Sequence, residues 1–317
     1  MEKARSVVLN GHRPPSSGDS SRAARRPGPR VEEQLRLLRG PFTLLDRMAP
    51  PLAAWATDRL FFMPPRPPIP PAARAALAEG EAQALEVDGR PLYAVRFGRG
   101  PRVLLMHGWG GFAGQLLDFV PALVAAGFQA LLFDAPGHGL SGPSRLGARQ
   151  SSFKDFAAGI RALEAAGPLH GLVAHSGGAI AAGLALQAGL QLKRLALVAP
   201  MARPLRLGDR FGQALGLRAA TRLRFFDNAR ARVGIRWEDL DLTTAPTRHP
   251  LPRSLVVHDR LDREVAWEEG QAIASAWPES QILSTEGLGH RRILSDAGVV
   301  EAITRFLTEP APAVAGA

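Results

Sequence analysis

Apolar segments of strand length alternate with longer Ala- and Leu-rich segments, which predicts an α/β protein with a mostly parallel central sheet flanked by helices. Three observations carry this reading. Short apolar runs recur at 102–106, 128–133, 171–174, 194–198, 253–257 and 281–284. Most of them are followed by a segment of helical composition. The residues just after several runs are rich in Gly, His, Asp and Ser, as expected where parallel strands end at one edge of a sheet and ligands bind.

The chain of 317 residues is long enough for one large domain with an insertion. Hydrophobic residues make up 46% and charged residues 21%, ordinary values for a globular protein. There is no cysteine, which excludes disulfides, thiolate metal sites and a cysteine nucleophile. The net charge of +10 raises nucleic acid as a partner, but only Lys3, Lys154 and Lys193 are lysines, leaving 36 arginines among the 39 basic residues. They are spread along the chain without interleaved aromatics, so no nucleic-acid partner is expected.

Residues 1–30 are polar and Arg-, Ser- and Pro-rich, and are expected to be a disordered basic extension without a signal-peptide core. From Val31 to Phe62, Leu35, Leu38, Leu45, Met48, Leu52, Trp55 and Leu60 recur at helical spacing, interrupted by Pro41 and Pro50-Pro51. The expectation for 31–80 is an arm of broken amphipathic helices and a Pro-rich connector packed on the main domain. A weak peripheral membrane contact through 31–62 is the alternative reading. The arm is favoured because the segment carries acids as well as arginine. The protein is otherwise expected to be cytoplasmic.

The main domain is expected over 81–202 and 253–308. It opens with two strands flanking Asp88-Gly89, a hairpin turn signal, followed by the alternation described above. Alternation stops after Pro200 and resumes at Arg253, so 203–252, with helical fragments such as Phe211 to Leu223, reads as a small helical cap over the sheet edge. The tail 309–317 reads as loose.

The run 171–174 leads into Ala174-His175-Ser176-Gly177-Gly178, a serine on a strand-to-helix turn between small residues. A sharp turn brings the positions two before and two after the serine against neighbouring backbone, and Ala174 and Gly178 fit there. Ser176 reads as a nucleophile. A serine needs an adjacent base to take its proton and a carboxylate to orient that base. Asp262 follows the strand 253–257, with Asp259 as a rival acid, and His290 lies in a Gly-rich turn after 281–284. The turn His107-Gly108-Trp109-Gly110-Gly111 frees backbone N–H groups to face a developing oxyanion. Asp134 and His138, in Asp134-Ala135-Pro136-Gly137-His138, read as structural.

With these five segments in order, the chain from about Gln83 to Leu307 resembles the α/β-hydrolase superfamily. The resemblance implies Ser176 as nucleophile, His290 as base, Asp262 as acid, and the N–H groups of Trp109 and Gly177 as the oxyanion hole. Ala174, His175 and Gly178 complete the nucleophile turn. It further implies a serine hydrolase acting on a small to medium acyl substrate through an acyl-enzyme, with no cofactor and no metal. Thioester or C–C bond hydrolysis and acyl transfer are alternative uses of the same residues, and a non-catalytic binding protein is the alternative outside enzymes.

Overall fold

The computed structural model describes residues 6–9, 31–244 and 250–310. Nine strands form one sheet in the order β1-β9-β8-β7-β6-β4-β5-β3-β2. These are β1 (Ser6–Leu9), β2 (Glu81–Val87), β3 (Arg90–Phe97), β4 (Arg102–Met106), β5 (Gln129–Phe133), β6 (Leu169–His175), β7 (Arg194–Val198), β8 (Arg253–Asp259) and β9 (Ser280–Thr285). From β5 across to β1 every pairing is parallel. The β2–β3 hairpin is antiparallel and turns at Asp88 and Gly89, both at positive φ (50° and 70°), as a type I′ turn requires.

Alternate residues of each buried strand face opposite layers. In β4, Leu104 and Met106 pack with Phe156, Ile160 and Leu163 of α5 (Phe153–Ala165) and with α6 (Gly178–Gln187), whereas Val103 and Leu105 pack with Phe119, Leu123, Ile303 and Phe306 on the other side. The parallel strands therefore end at one edge, where the loops after β4, β5, β6, β8 and β9 gather.

Four expectations are corrected. Ser6–Leu9, expected to lack regular structure, pairs in parallel with Ile282–Thr285 of β9. The apolar Val7-Val8-Leu9 suits a strand, and the β9 edge would otherwise leave its ladder groups open. The rest of 1–30, and the tail from 311, lie outside the described residues. Pro41 does not break its helix: α1 runs Val31–Met48 and α2 follows at Pro50–Phe61. Pro41 sits on the exposed side, where the carbonyl four residues back can turn to water. The segment after β4, helical in composition, is a 3₁₀ turn (Ala113–Phe119) leading into α4 (Val120–Ala125) rather than one helix. Finally, Phe211 to Leu223 is not one helix. The stretch between β7 and β8 carries α7 (Pro204–Ala214) and α8 (Ala219–Val233), separated by a turn with Gly216 at φ 78°.

The arm and this β7–β8 stretch form one helical layer. Leu35 of α1 and Ala53 of α2 share a buried cluster with Leu215 and Leu217. Asp46, 1% exposed, accepts hydrogen bonds from the Arg218 N–H at 3.0 Å, the Arg218 Nε at 2.9 Å and the Thr221 hydroxyl. Burial opposes its ionisation, but the hydrogen bonds from Thr221 and Arg218 outweigh it and lower the pKa. Asp58, also buried, accepts from Arg232 Nε at 2.6 Å. A short helix α3 (Pro71–Ala78) closes the connector by burying Leu77 under the sheet.

Candidate active site

The turn after β6 is tight. Ser176 has φ 53°, a left-handed backbone that costs a non-glycine residue energy and that the strand-to-helix turn imposes. Its N–H donates to Val198 O at 2.9 Å, which ties the turn to β7. A Cβ on Gly178 would lie 2.7 Å from His107 O, so that position requires glycine, and one on Gly108 would lie 3.0 Å from Ser176 Cβ, a tight fit. Ala174 is fully buried in the sheet, where only a small side chain sits against α6.

Three side chains meet at Ser176. Its Oγ lies 2.9 Å from His290 Nε2, and His290 Nδ1 lies 2.7 Å from Asp262 Oδ2. A carboxylate only accepts, so Nδ1 of His290 carries a proton and Nε2 presents its lone pair to the serine hydroxyl. The serine and histidine are largely buried, at 7% and 9% exposure. Asp262 sits on the loop after β8, where its Oδ1 accepts the N–H groups of Glu264 (2.8 Å) and Val265 (3.0 Å). Its burial raises the cost of charge, yet hydrogen bonds from His258 and His290 and from the backbone outweigh that and hold the carboxyl well below the usual carboxylate range.

Asp259 does a different job. It accepts the Thr285 hydroxyl at 2.8 Å and the N–H groups of Leu288 (2.9 Å) and Leu261 (3.0 Å), pinning the loop that carries His290. Asp134 likewise accepts the N–H groups of Ala113 (2.6 Å) and Leu140 (2.7 Å). His138 Nε2 accepts from Gly110 N–H at 3.1 Å and is not paired with Asp134. Both brace the loops after β4 and β5.

The turns that carry Trp109 and Gly177 meet, with Trp109 N 3.6 Å from where a Gly177 Cβ would stand. Among the described residues, neither N–H has a hydrogen-bond acceptor. Free N–H groups on these two turns can donate hydrogen bonds to a developing negative charge on a substrate oxygen.

Three contacts lay outside the sequence reading. His258 Nε2 is 3.4 Å from Asp262 Oδ2 and 3.1 Å from Val265 O. Both partners are acceptors, so this nitrogen carries a proton and Asp262 lies between two imidazoles. The signal was a second histidine at the end of β8, four residues before Asp262. His175, read only as part of the turn, donates through Nε2 to the His290 carbonyl at 2.9 Å, which braces the histidine loop against β6. Burial, reinforced by the neighbouring His290, pushes the His175 imidazole down to about 3. Phe153, at the start of α5, packs against Gly177 and Trp109 and also lines an apolar cavity of about 20 Å³ with Phe61, Phe62, Ala229, Val233 and Trp237. This cavity is thus walled by the arm, the β7–β8 stretch and the main domain together. A cavity of about 50 Å³ is lined by Arg66, Gly110, Phe112 and His138 and not by Ser176.

The chain matches the family described as serine aminopeptidase, S33, over residues 100–264. A curated relative, the dihydrolipoyllysine-residue acetyltransferase component of the acetoin cleaving system of Cupriavidus necator, is 35% identical over 121 residues, 38% of this chain. The alignment covers 32% of that protein, so the chain spans about a third of its length. Among solved structures, Est1E of Butyrivibrio proteoclasticus, determined with ferulic acid bound, is 20% identical with a TM-score of 0.56, covering 71% of this chain and 98% of that one. A bromoperoxidase of Bacillus anthracis is 18% identical with a TM-score of 0.54, covering 72% and 100%. At these identities the likeness shows the fold: a mostly parallel sheet with flanking helices, as in α/β-hydrolases.

Proposed function

The chain belongs to the serine aminopeptidase S33 family of α/β-hydrolases, and from that premise we propose that it is a serine hydrolase that cleaves an ester or related acyl bond through an acyl-enzyme. The observation that carries the reading is the continuous hydrogen-bonded path from Ser176 Oγ through His290 to Asp262, next to two unoccupied N–H donors.

The geometry supports the following course. Ser176 Oγ attacks the acyl carbon while its proton passes to His290 Nε2, and the carbonyl π pair moves onto oxygen. The oxyanion accepts the N–H groups of Trp109 and Gly177. Asp262, already ionised, offsets the charge on the imidazolium and keeps its tautomer fixed. When the oxyanion collapses, the bond to the leaving alkoxide breaks and His290 returns the proton to it. A water then attacks the acyl-serine with His290 again as base, releasing the carboxylic acid and restoring Ser176. Each oxyanion donor in such a site contributes on the order of 10²- to 10³-fold to turnover.

Turnover of a p-nitrophenyl ester series from acetate to decanoate tests the reading, with a maximum among short and medium chains expected. No turnover across the series, with intact fold, would count against acyl hydrolysis.

A further inference from the structure

The two arm helices present an outward face that no described part of the protein covers. Leu37, Leu44 and Met48 of α1 are 82%, 58% and 77% exposed, and Leu52 and Trp55 of α2 are 49% and 52% exposed. Spacings of seven and four residues in α1, and of three in α2, align them as one stripe per helix. Proline 41 fills the gap in the α1 stripe and is itself exposed. Outward helix positions normally carry polar side chains, and a contiguous apolar face of this kind marks a contact surface.

Among the side chains described, the charge bordering this face is positive. The segment's described acids, Asp46 and Asp58, both turn inward and are neutralised by Arg218 and Arg232. Two of the four acids that argued in the sequence for a simple packed arm are therefore turned away from the face; the other two, Glu32 and Glu33, stand in the first turn of α1. What borders the stripe is cationic: Arg36 and Arg47 are exposed, and the Arg59 guanidinium stands 5.6 Å over the Trp55 ring. In sequence, residues 10–30 add Arg13, Arg22, Arg25, Arg26 and Arg30 against Asp19.

We infer that the outward face of α1 and α2 seats in the interfacial region of a membrane rich in anionic phospholipid. An apolar stripe enters the headgroup–acyl boundary, a tryptophan is suited to that depth, and flanking arginines meet lipid phosphates. Two copies of this chain meeting through the face would instead bring like charges together. No described helix is long and apolar enough to cross a membrane, so the contact is one of lying on the surface. The inner side of the arm supplies Phe61 and Phe62 to the cavity beside Phe153, so docking holds that cavity about one helix diameter, roughly 10 Å, from lipid.

The test is co-sedimentation of the full chain with vesicles of phosphatidylcholine alone and of equal parts phosphatidylcholine and phosphatidylglycerol. Binding to the anionic vesicles only, weakening as salt rises, is expected. The double variant Met48→Glu/Trp55→Glu should weaken it about tenfold or more, and Arg36→Glu/Arg47→Glu should weaken it while flattening its salt dependence. All four residues lie outside the site, so circular dichroism and hydrolysis of a soluble ester should be unchanged, which separates this result from failure of the proposed chemistry. Equal sedimentation of wild type and the Met48/Trp55 variant overturns the inference. So does a concentration-dependent dimer that this variant abolishes without any vesicle binding by the wild type.

Discussion

Asp262 Oδ2 lies 2.7 Å from His290 Nδ1, whereas Asp259, three residues earlier, has its carboxylate saturated by Thr285, Leu261 and Leu288. Two acids on one loop therefore have separable duties. Asp262→Asn should lower kcat about 10⁴-fold by supporting the wrong imidazole tautomer, with little change in unfolding temperature. Asp259→Asn should mainly cost stability, about 1–3 kcal/mol, by leaving a buried donor unpaired. Steady-state kinetics and thermal melts on both variants check this; a larger kinetic loss in the Asp259 variant would reverse the assignment.

His175 should make the protein acid-sensitive. Its folded pKa of about 3 lies below the ordinary 6.5, so between those values the unfolded chain binds the extra proton. Stability from this group is complete above about pH 6.5 and falls as the pH drops toward 3. His107 and His138 are also buried with lowered pKa values and act in the same direction. Asp262, depressed relative to 3.8, adds its own loss only below that pH. In urea titrations between pH 4 and 6, His175→Gln should reduce the slope of unfolding free energy by up to about 1.4 kcal/mol per pH unit, the value for one proton. An unchanged slope would mean that His175 is not the neutral buried group described.

Gly178 is held by the backbone of the neighbouring strand end. A methyl there would stand 2.7 Å from His107 O, so Gly178→Ala should move the Ser176 turn, cost about 1–3 kcal/mol and reduce turnover together. Gly287→Ala is the control: no atom lies within 4 Å, though its φ of 88° adds a strain that lowers stability with smaller effect on turnover. Parallel melts and kinetics distinguish the two.

The arm should not be separable from the β7–β8 helices. Asp46→Ala removes the acceptor shared by Arg218 and Thr221, and limited proteolysis should then cut between α1 and β2 at rates well above wild type, with a stability loss of about 1–3 kcal/mol. Unchanged protection of the arm would show that the apolar cluster of Leu35, Ala53, Leu215 and Leu217 alone holds it.

The parallel sheet and its loops were legible in the sequence because buried strands are short apolar runs, and the chemistry-bearing residues directly follow them. Ser176, Asp262 and His290 sit where that pattern puts them. What stayed hidden depends on contacts between distant segments. The Asp46–Arg218 pair joins residues 172 positions apart, and local periodicity carries no trace of it. That pair and Asp58–Arg232 turn two of the arm's four acids inward, which weakens the charge argument drawn from composition. Pro41 was overread as a helix end because the rule concerns a lost hydrogen bond, and on an exposed face water replaces it. Strand β1 escapes a sequence reading because three apolar residues in a polar stretch have no periodicity to detect.

The central claim is that Ser176 is the nucleophile activated by His290. Intact-protein mass spectrometry after treatment with a fluorophosphonate probe tests it most directly. One phosphonyl adduct on the wild type, mapping to the peptide that carries Ser176, and no adduct on a folded Ser176→Ala variant are predicted. Stoichiometric labelling of that variant, or an unlabelled wild type that still hydrolyses p-nitrophenyl esters, would contradict it.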